Sequence, residues 1–213
     1  MQNNYDNIAS YYDFLSQLVF GSSLIKAQSR FLNYVKPKSS ILIVGGGTGR
    51  ILEYLAREHA SGLVITYVEI SAKMIAAARK RDWKQNQVYF VHQAVEDFSS
   101  PLQYDVILTA FLFDNFTEPK IRLTFSQLDS MLNSGGLWLF ADFTYDKNKG
   151  KWWQKILLSL MYKFFRLTCH IEATDLINME DIFDRNGYLK VFENTYYAGF
   201  IKSIVYNKRS ETN

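Results

Sequence analysis

Hydrophobic and polar positions along this chain form blocks that predict strands separated by helices. Short apolar runs suited to buried strands recur at 41–44, 63–69, 88–92, 104–110 and 137–142. Between them, apolar residues at helical spacing predict helices at 50–59, 71–85 and 119–132. Strict alternation of strand and helix predicts a parallel sheet with helices on both faces.

The end of the chain adds two strands to this pattern. Residues 187–196 and 200–206 predict strands joined by a short turn at Gly199, and hence an antiparallel edge. The predicted fold is therefore α/β: a doubly wound, mostly parallel seven-stranded sheet with an antiparallel C-terminal edge.

The first 36 residues are predicted to be a helical cover that precedes the sheet. They divide into helices at Tyr5–Phe20 and Ser22–Val35, separated by Gly21 and closed by Pro37. We expect residues 1–36 to lie over the ligand edge of the sheet.

Composition limits the class of protein. A chain of 213 residues that is 48% apolar suits a single domain over 1–213 with a full core. Its net charge of +3, without a cluster of basic and aromatic residues, gives no reason to expect nucleic acid as a partner. A single Cys169 rules out an internal disulfide and suits a reducing compartment. Neither a leader nor a run of roughly 20 apolar residues is found, so a cytoplasmic protein without a transmembrane segment is expected.

The most informative local feature is a glycine-rich segment directly after the first predicted strand. Glycines follow Val44 at positions 45, 46, 47 and 49 and lead into the helix at 50–59. Glycine permits so tight a turn and lets main-chain N–H groups approach a ligand at a helix N-terminus. Glu69 ends the second strand, twenty residues beyond Gly49, where a carboxylate can accept hydrogen bonds from both hydroxyls of a ribose. The predicted ligand is a nucleoside or nucleotide.

The spacing of these glycines, G-x-G-x-G, differs from that of a dinucleotide site, which would carry a further glycine at the position of Arg50. With the order of the segments that follow, it resembles the class I S-adenosylmethionine (SAM)-dependent methyltransferases. The matching segments are Ile41–Arg50, Tyr67–Ser71 with Met74, Tyr104–Ala110 and Asn133–Phe140. The opening, Tyr5–Asp13, is more loosely similar to the ubiquinone/menaquinone-biosynthesis C-methyltransferases.

This resemblance implies SAM as the cofactor and methyl transfer as the reaction. The glycines would face the methionine moiety of SAM, Glu69 the ribose, and Ile70 and Met74 the adenine. The implied cofactor-binding set is Gly45, Gly46, Gly47, Gly49, Glu69, Ile70, Met74, Val95 and Thr109. Methyl transfer needs positioning and no metal, and the three histidines have no metal-ligand spacing, so no metal site is expected.

Two positions depart from the family's usual pattern. Ile43 and Ala94 stand where many class I methyltransferases carry acids, although Glu96 or Asp97 can substitute for the second. The alternative is a SAM- or nucleoside-binding protein without transferase activity. A nicotinamide-dependent reductase is disfavoured by Arg50.

The acceptor is expected to be a small, apolar or aromatic molecule, with a prenylated ring as the specific hypothesis. A phenol or carbon acid needs a base, and His170, Asp142 and Glu172 are candidates at or after the fifth strand, although each also suits a hydrogen-bonded loop residue. The candidate substrate contacts are Tyr11, Phe111 and Phe164. Phe111 is equally compatible with a packing role in the core, and for Tyr11, one of 14 tyrosines, packing is the favoured role.

A substrate-side insertion is predicted at 143–177, with a helix at 151–167 whose pattern is unusual. Lys155, Ser159, Lys163 and Arg166 form a narrow polar stripe, and the rest of the helix is apolar. Three interpretations stay open: a helix buried over the sheet with its stripe in water, an apolar lid over a lipophilic acceptor, or a surface in peripheral contact with a membrane.

Overall fold

The structure is a computed structural model, and it describes residues 5–6, 8–9, 11–145, 150–169, 171, 173 and 175–210. Within these residues seven strands form one sheet in the order β3-β2-β1-β4-β5-β7-β6. The strands are β1 (Ser40–Val44), β2 (Ser61–Glu69), β3 (Gln85–His92), β4 (Tyr104–Ala110), β5 (Leu132–Phe143), β6 (Leu189–Tyr196) and β7 (Ile201–Asn207).

Seven α-helices occur in the described part of the chain. They are α1 (Tyr12–Phe20), α2 (Ser23–Ser29), α3 (Arg50–Glu58), α4 (Ala72–Ala78), α5 (Glu118–Ser130), α6 (Trp152–Cys169) and α7 (Met179–Arg185).

The pairing of the strands confirms the predicted fold class. Strands β1 to β5 pair in parallel, whereas β7 runs antiparallel to both β5 and β6. Side chains of β1 enter two separate hydrophobic clusters, Ile41 and Ile43 on one face and Leu42 and Val44 on the other. Burial on both faces explains why the parallel strands appear in the sequence as continuous apolar runs.

The strand order fixes where a ligand can bind. Strand β1 lies between β2 and β4, so the connections that leave β1 and β4 run in opposite directions across the sheet. Open α/β sheets bind ligands at such a switch point, beyond the carboxyl ends of the strands. The segments after Val44, Glu69 and Ala110 meet at this edge.

Several element boundaries differ from those predicted. The first helix begins at Tyr12 and not at Tyr5, and the helix predicted at 71–85 ends at Ala78. Strand β3 begins at Gln85, three residues before the predicted start, because Gln85 and Gln87 pair with Ser61 and Val64 of β2. Between them, the side chain of Asn86 accepts a hydrogen bond from the Leu63 N–H. The first residues of β3 are therefore polar, and they lack the pattern of apolar residues that predicts a strand.

Candidate active site

A cavity of about 430 Å³ lies at the carboxyl edge of β1, β2 and β4, under α1 and beside α6. One part of its lining is the expected cofactor region, and it consists of Gly45, Gly46, Gly47, Thr48, Glu69, Ile70, Met74, Gln93, Val95 and Glu96. The other part is apolar, and it includes Leu15, Val19, Phe20, Leu24, Phe111, Phe143, Leu157, Leu160, Met161, Phe164 and Phe165. The wall of the cavity therefore has two parts of different polarity, side by side.

The glycine loop is folded tightly against β2. A Cβ atom on Gly46 would lie 2.4 Å from Cζ of Tyr67, and the Tyr67 hydroxyl donates a 2.9 Å hydrogen bond to the carbonyl of Gly47. Gly49 caps α3 with φ +79°, and a Cβ there would lie 2.6 Å from Cβ of Ala78 on α4. The first contact brings the loop backbone down to the sheet, and the second allows α3 and α4 to approach closely.

Glu69 is a buried carboxylate that joins the loop to the next helix. Its Oε2 accepts from the Gly47 N–H at 3.0 Å and its Oε1 from the Ser71 N–H at 2.9 Å. Burial raises the pKa of Glu69, because no described lysine, arginine or histidine pairs with it. A carboxylate oxygen accepts more than one hydrogen bond, so capacity remains on the side that lines the cavity. The two hydroxyls of a ribose fit this need.

An apolar pocket for a ring adjoins Glu69. Ser71 caps α4, since its Oγ accepts from the Met74 N–H at 3.1 Å, and this turn places Ile70 and Met74 in the cavity wall. From the segment after β3, Val95 and Glu96 line the same region. These residues fit an adenine ring between apolar side chains.

Ala94 and Glu96 differ in what they contact. Ala94 is 5% exposed and is not part of the cavity lining, whereas Glu96 lines the cavity and pairs with Nζ of Lys120 at 2.5 Å. Glu96 is therefore an acid of this loop that belongs to the cavity wall, and we expect it at the adenine end of the site. The side chain of Ile43 is fully buried in the core below the loop.

Asp13 on α1 fastens the helical cover to the glycine loop. Its Oδ1 accepts from the Thr48 hydroxyl at 2.8 Å, and its Oδ2 accepts from Nε of Arg50 and from a terminal nitrogen of Arg81, each at 2.9 Å. Arg81 also donates through Nε to the carbonyl of Thr48 at 2.9 Å. Arg50, which departs from the dinucleotide pattern, thus serves this network.

Two aspartates lie close together near the ends of β4 and β5, and one of them, Asp114, lines the cavity. Asp142 accepts from the backbone N–H groups of Phe113 at 3.2 Å and Phe143 at 2.8 Å, and burial raises its pKa well above the ordinary value. Asp114 lines the cavity and accepts from Nδ2 of Asn115 at 2.7 Å. Burial raises the pKa of Asp114 to about 7. A carboxyl with that pKa can take up a proton near neutral pH.

The structure brings most of the sequence-predicted residues to one cavity. Those in its lining are Gly45, Gly46, Gly47, Glu69, Ile70, Met74, Val95, Phe111 and Phe164. Phe111 adopts φ +56° at the end of β4, a conformation that side chains other than glycine rarely take and that concentrates at functional sites.

Other predicted residues lie elsewhere. Thr109 is 1% exposed and accepts a hydrogen bond from Nε1 of Trp138 at 2.9 Å, which is a core contact outside the lining. Tyr11, which was predicted to contact the substrate, is 53% exposed and does not line the cavity. The neighbouring Tyr12 lines it instead. Gly49 packs on Ala78, and Asp142 stands behind Asp114. His170 and Glu172 lie outside the described residues.

Sequence reasoning missed Asp13 and Asp114. Nothing near Asp13 in the sequence points to its partners, which lie 35 to 68 residues further along the chain. Asp114 did carry a signal, because it follows β4 at the carboxyl edge of the sheet, where ligands bind.

Comparison with known proteins finds similarity to methyltransferases. A family model described as a methyltransferase domain matches residues 42–138, which span the glycine loop, Glu69 and β4. The chain is 28% identical over 145 residues to the malonyl-[acyl-carrier protein] O-methyltransferase of Priestia megaterium, a match that covers 67% of this chain and 51% of that protein. It is 27% identical over 151 residues to the ubiquinone/menaquinone biosynthesis C-methyltransferase UbiE of Wigglesworthia glossinidia brevipalpis, covering 68% and 59% respectively. The chain thus spans between half and three fifths of these relatives.

The fold has counterparts among solved structures. The DhpI complex with S-adenosylhomocysteine superimposes with a TM-score of 0.70 at 17% identity, covering 98% of this chain and 94% of that one. At such identity the likeness shows the fold alone.

Replacing Glu69 by alanine is expected to weaken SAM and S-adenosylhomocysteine binding at least tenfold. The change removes the acceptor for two ribose hydroxyls, and hydrogen bonds to charged groups contribute about 1.5–3 kcal/mol each. Calorimetry measures the affinity for SAM in the wild type, in Glu69→Ala and in the control Glu58→Ala, which removes a carboxylate from the end of α3. Unchanged affinity in Glu69→Ala would place the ribose elsewhere.

A second pair of variants tests the adenine end. Glu96→Gln is expected to weaken SAM by roughly 1 kcal/mol, since one hydrogen bond loses its charge. Ala94→Asp is expected to leave SAM no tighter and to lower the melting temperature, because it buries a carboxylate without a partner. Dissociation constants and thermal melts decide the assignment. Tighter binding by Ala94→Asp would mean that position 94, and not 96, faces the adenine.

Proposed function

We propose that this chain, a SAM-dependent methyltransferase in its domain and its fold, transfers the methyl group of SAM to a small lipophilic acceptor. The observation that carries the proposal is the apolar part of the cavity, which continues directly from the cofactor region. A ligand bound there exchanges water for aliphatic and aromatic side chains, which favours an apolar or aromatic molecule such as a prenylated ring.

The charges around the cavity favour such an acceptor over an anionic one. A carboxylate acceptor, as the name of the malonyl-carrier-protein relative describes, would need a cation or several N–H donors at the apolar end. Arg50 lines the cavity, but Asp13 already engages its guanidinium at 2.9 Å. The name of the UbiE relative describes a quinone pathway, whose ring compounds suit this lining better.

Each part of the site has a separate task in methyl transfer. When bound, SAM would supply a methyl group activated on sulfonium sulfur, and S-adenosylhomocysteine would be the leaving group. Glu69 and the glycine loop hold and orient the cofactor, while Phe111 and Met161 hold the acceptor in line. Positioning of this kind supplies about 7–11 kcal/mol of the barrier reduction. Asp114, ionised, accepts the proton that a phenol or carbon acid releases.

The acceptor class is tested by labelled methyl transfer from SAM to three compounds: a prenylated phenol, the same phenol without its prenyl chain, and a malonyl thioester. The prenylated phenol is expected to be the best acceptor. Met161→Gln keeps the side-chain shape but buries an amide, so its KM for that compound should rise about five- to a hundredfold, as a cost of roughly 1–3 kcal/mol requires. Its affinity for SAM should not change.

The matched control is Leu123→Gln on the exposed face of α5, where Leu123 is 74% exposed. It should behave as the wild type. Preference for the malonyl thioester would overturn the proposal of a lipophilic acceptor. If the protein binds SAM but labelled methyl is transferred neither to these compounds nor to any component of a cell extract, the alternative of a binding protein without transferase activity is favoured.

Asp114 is tested through the pH profile. With the base ionised above a pKa of about 7, kcat for a phenolic acceptor should rise from pH 6 to pH 8. Asp114→Asn should lose this rise and lower kcat by about 10²–10⁴-fold, the range of general base catalysis. Asp184→Asn on α7, an exposed surface change, should keep the profile. A profile that persists in Asp114→Asn assigns the base to another group.

A further inference from the structure

Exposed apolar side chains are concentrated on two helices. Of the fifteen large hydrophobic residues recorded as exposed in the described chain, nine lie on α1, directly before it, or on α6. We call these nine the docking face: Tyr11, Phe14, Leu18, Val19, Trp152, Ile156, Leu160, Phe164 and Leu167. Leu167 and Trp152 are the most exposed, at 82% and 76%. Such concentration marks an interaction surface, because scattered exposed residues would need no explanation.

Part of the docking face belongs to the wall of the cavity. Val19, Leu160 and Phe164 belong both to the exposed set and to the cavity lining. The apolar interior of the cavity is therefore continuous with the apolar exterior of α1 and α6.

Helix α6 carries a basic stripe next to its share of the docking face. Trp152, Ile156, Leu160 and Phe164 follow one another every four residues, and Lys155, Ser159 and Lys163 follow the same spacing one residue earlier. Exposed Arg166 extends the basic stripe, as Leu167 extends the apolar one. The helix contains no Asp or Glu, and Lys155, Lys163 and Arg166 give it three positive charges, as many as the net charge of the whole chain. Asp175 is the acid that lies beside this stripe.

We infer that α1 and α6 dock on the surface of an anionic lipid bilayer, with the entrance of the cavity facing the lipid. An interfacial helix binds by placing apolar side chains at the acyl boundary and cations at anionic headgroups, which is the arrangement found on α6. No described helix is long and apolar enough to cross a membrane, so the contact is peripheral. The inference needs no particular acceptor, although a prenylated acceptor would enter directly from the lipid.

Other occupants fit the docking face less well. A second copy packed symmetrically would bring the basic stripes of both copies toward each other. An acidic protein would satisfy the cations but would leave the apolar side chains of α1 without a matching partner. A bilayer provides both chemistries over one flat surface.

The test is cosedimentation of the full chain with vesicles of phosphatidylcholine alone and with added phosphatidylglycerol. The protein should bind the anionic vesicles and lose binding as salt increases. Brominated lipids should quench tryptophan fluorescence, and Trp152→Phe should remove most of this quenching. Of the other three tryptophans, Trp138 is buried in the core, Trp153 packs on Tyr197 and Phe200, and Trp83 packs on Phe90. Absence of binding to the anionic vesicles would overturn the inference.

Variants locate the contact. Phe14→Ser with Leu167→Ser, neither of which lines the cavity, should weaken partitioning at least about tenfold. Leu102→Ser with Leu123→Ser, at 60% and 74% exposure, is the control pair and should have no effect. Lys155→Gln with Lys163→Gln should weaken binding to anionic vesicles, whereas Lys36→Gln with Lys80→Gln should not.

For each variant we would also measure SAM affinity and sedimentation velocity, because a folding defect changes both. An equal loss in the control pair would show that binding is unspecific and would overturn the docking face. A dimer that only the Phe14/Leu167 variant dissociates would assign the face to a second copy. A failed acceptor screen would leave these vesicle results unchanged, so the docking inference and the proposed function fail separately.

Discussion

The buried carboxylate of Glu69 is the constraint on which the site depends. It accepts hydrogen bonds from the N–H groups of Gly47 in the glycine loop and of Ser71 before α4. One side chain therefore sets the relative position of two backbone segments. Removing a carboxylate from water is costly unless hydrogen bonds replace hydration, and here backbone groups provide only part of the replacement. The unfilled capacity faces the cavity, and this makes the site complementary to a ligand that brings two hydroxyls.

Polar contacts hold the helical cover to this loop, in addition to apolar side chains such as Phe20 and Leu24 that are buried in the core. Asp13 engages Thr48, Arg50 and Arg81, and Tyr5 donates to Oδ1 of Asn115 at 2.6 Å, at the end of β4. Isolated surface ion pairs contribute about 0–1 kcal/mol, but a half-buried network with fixed geometry is stronger. Directional contacts of this kind fix the orientation of α1, and its apolar residues can therefore remain exposed without the helix rotating to bury them.

The fold was predictable because its signals are local. Short apolar runs predicted five of the strands, the segments on either side of Gly199 predicted the other two, and the glycine spacing predicted the tight loop after β1, since strand burial and tight turns depend on neighbouring residues. Asp13 was not predictable, because its role depends on Arg81, 68 residues away. Thr109 was placed in the cofactor set by its position in β4, but side-chain direction alternates along a strand and this one points to Trp138 in the core.

Helix α6 shows why the three interpretations of its pattern were hard to separate. Its buried positions Gln154, Tyr162 and Cys169 face the protein, while Met161 and Phe165 face the cavity. Two further arcs, one apolar and one basic, remain exposed. The same sequence therefore satisfies the interpretations of a packed helix and of a cavity wall together, and these roles do not compete because they use different arcs. Arg166 on the basic arc donates to the carbonyl of Ala173, and Asp175 lies beside that arc. The chemistry of the two arcs, apolar beside basic, is that of an interface between hydrocarbon and anionic headgroups.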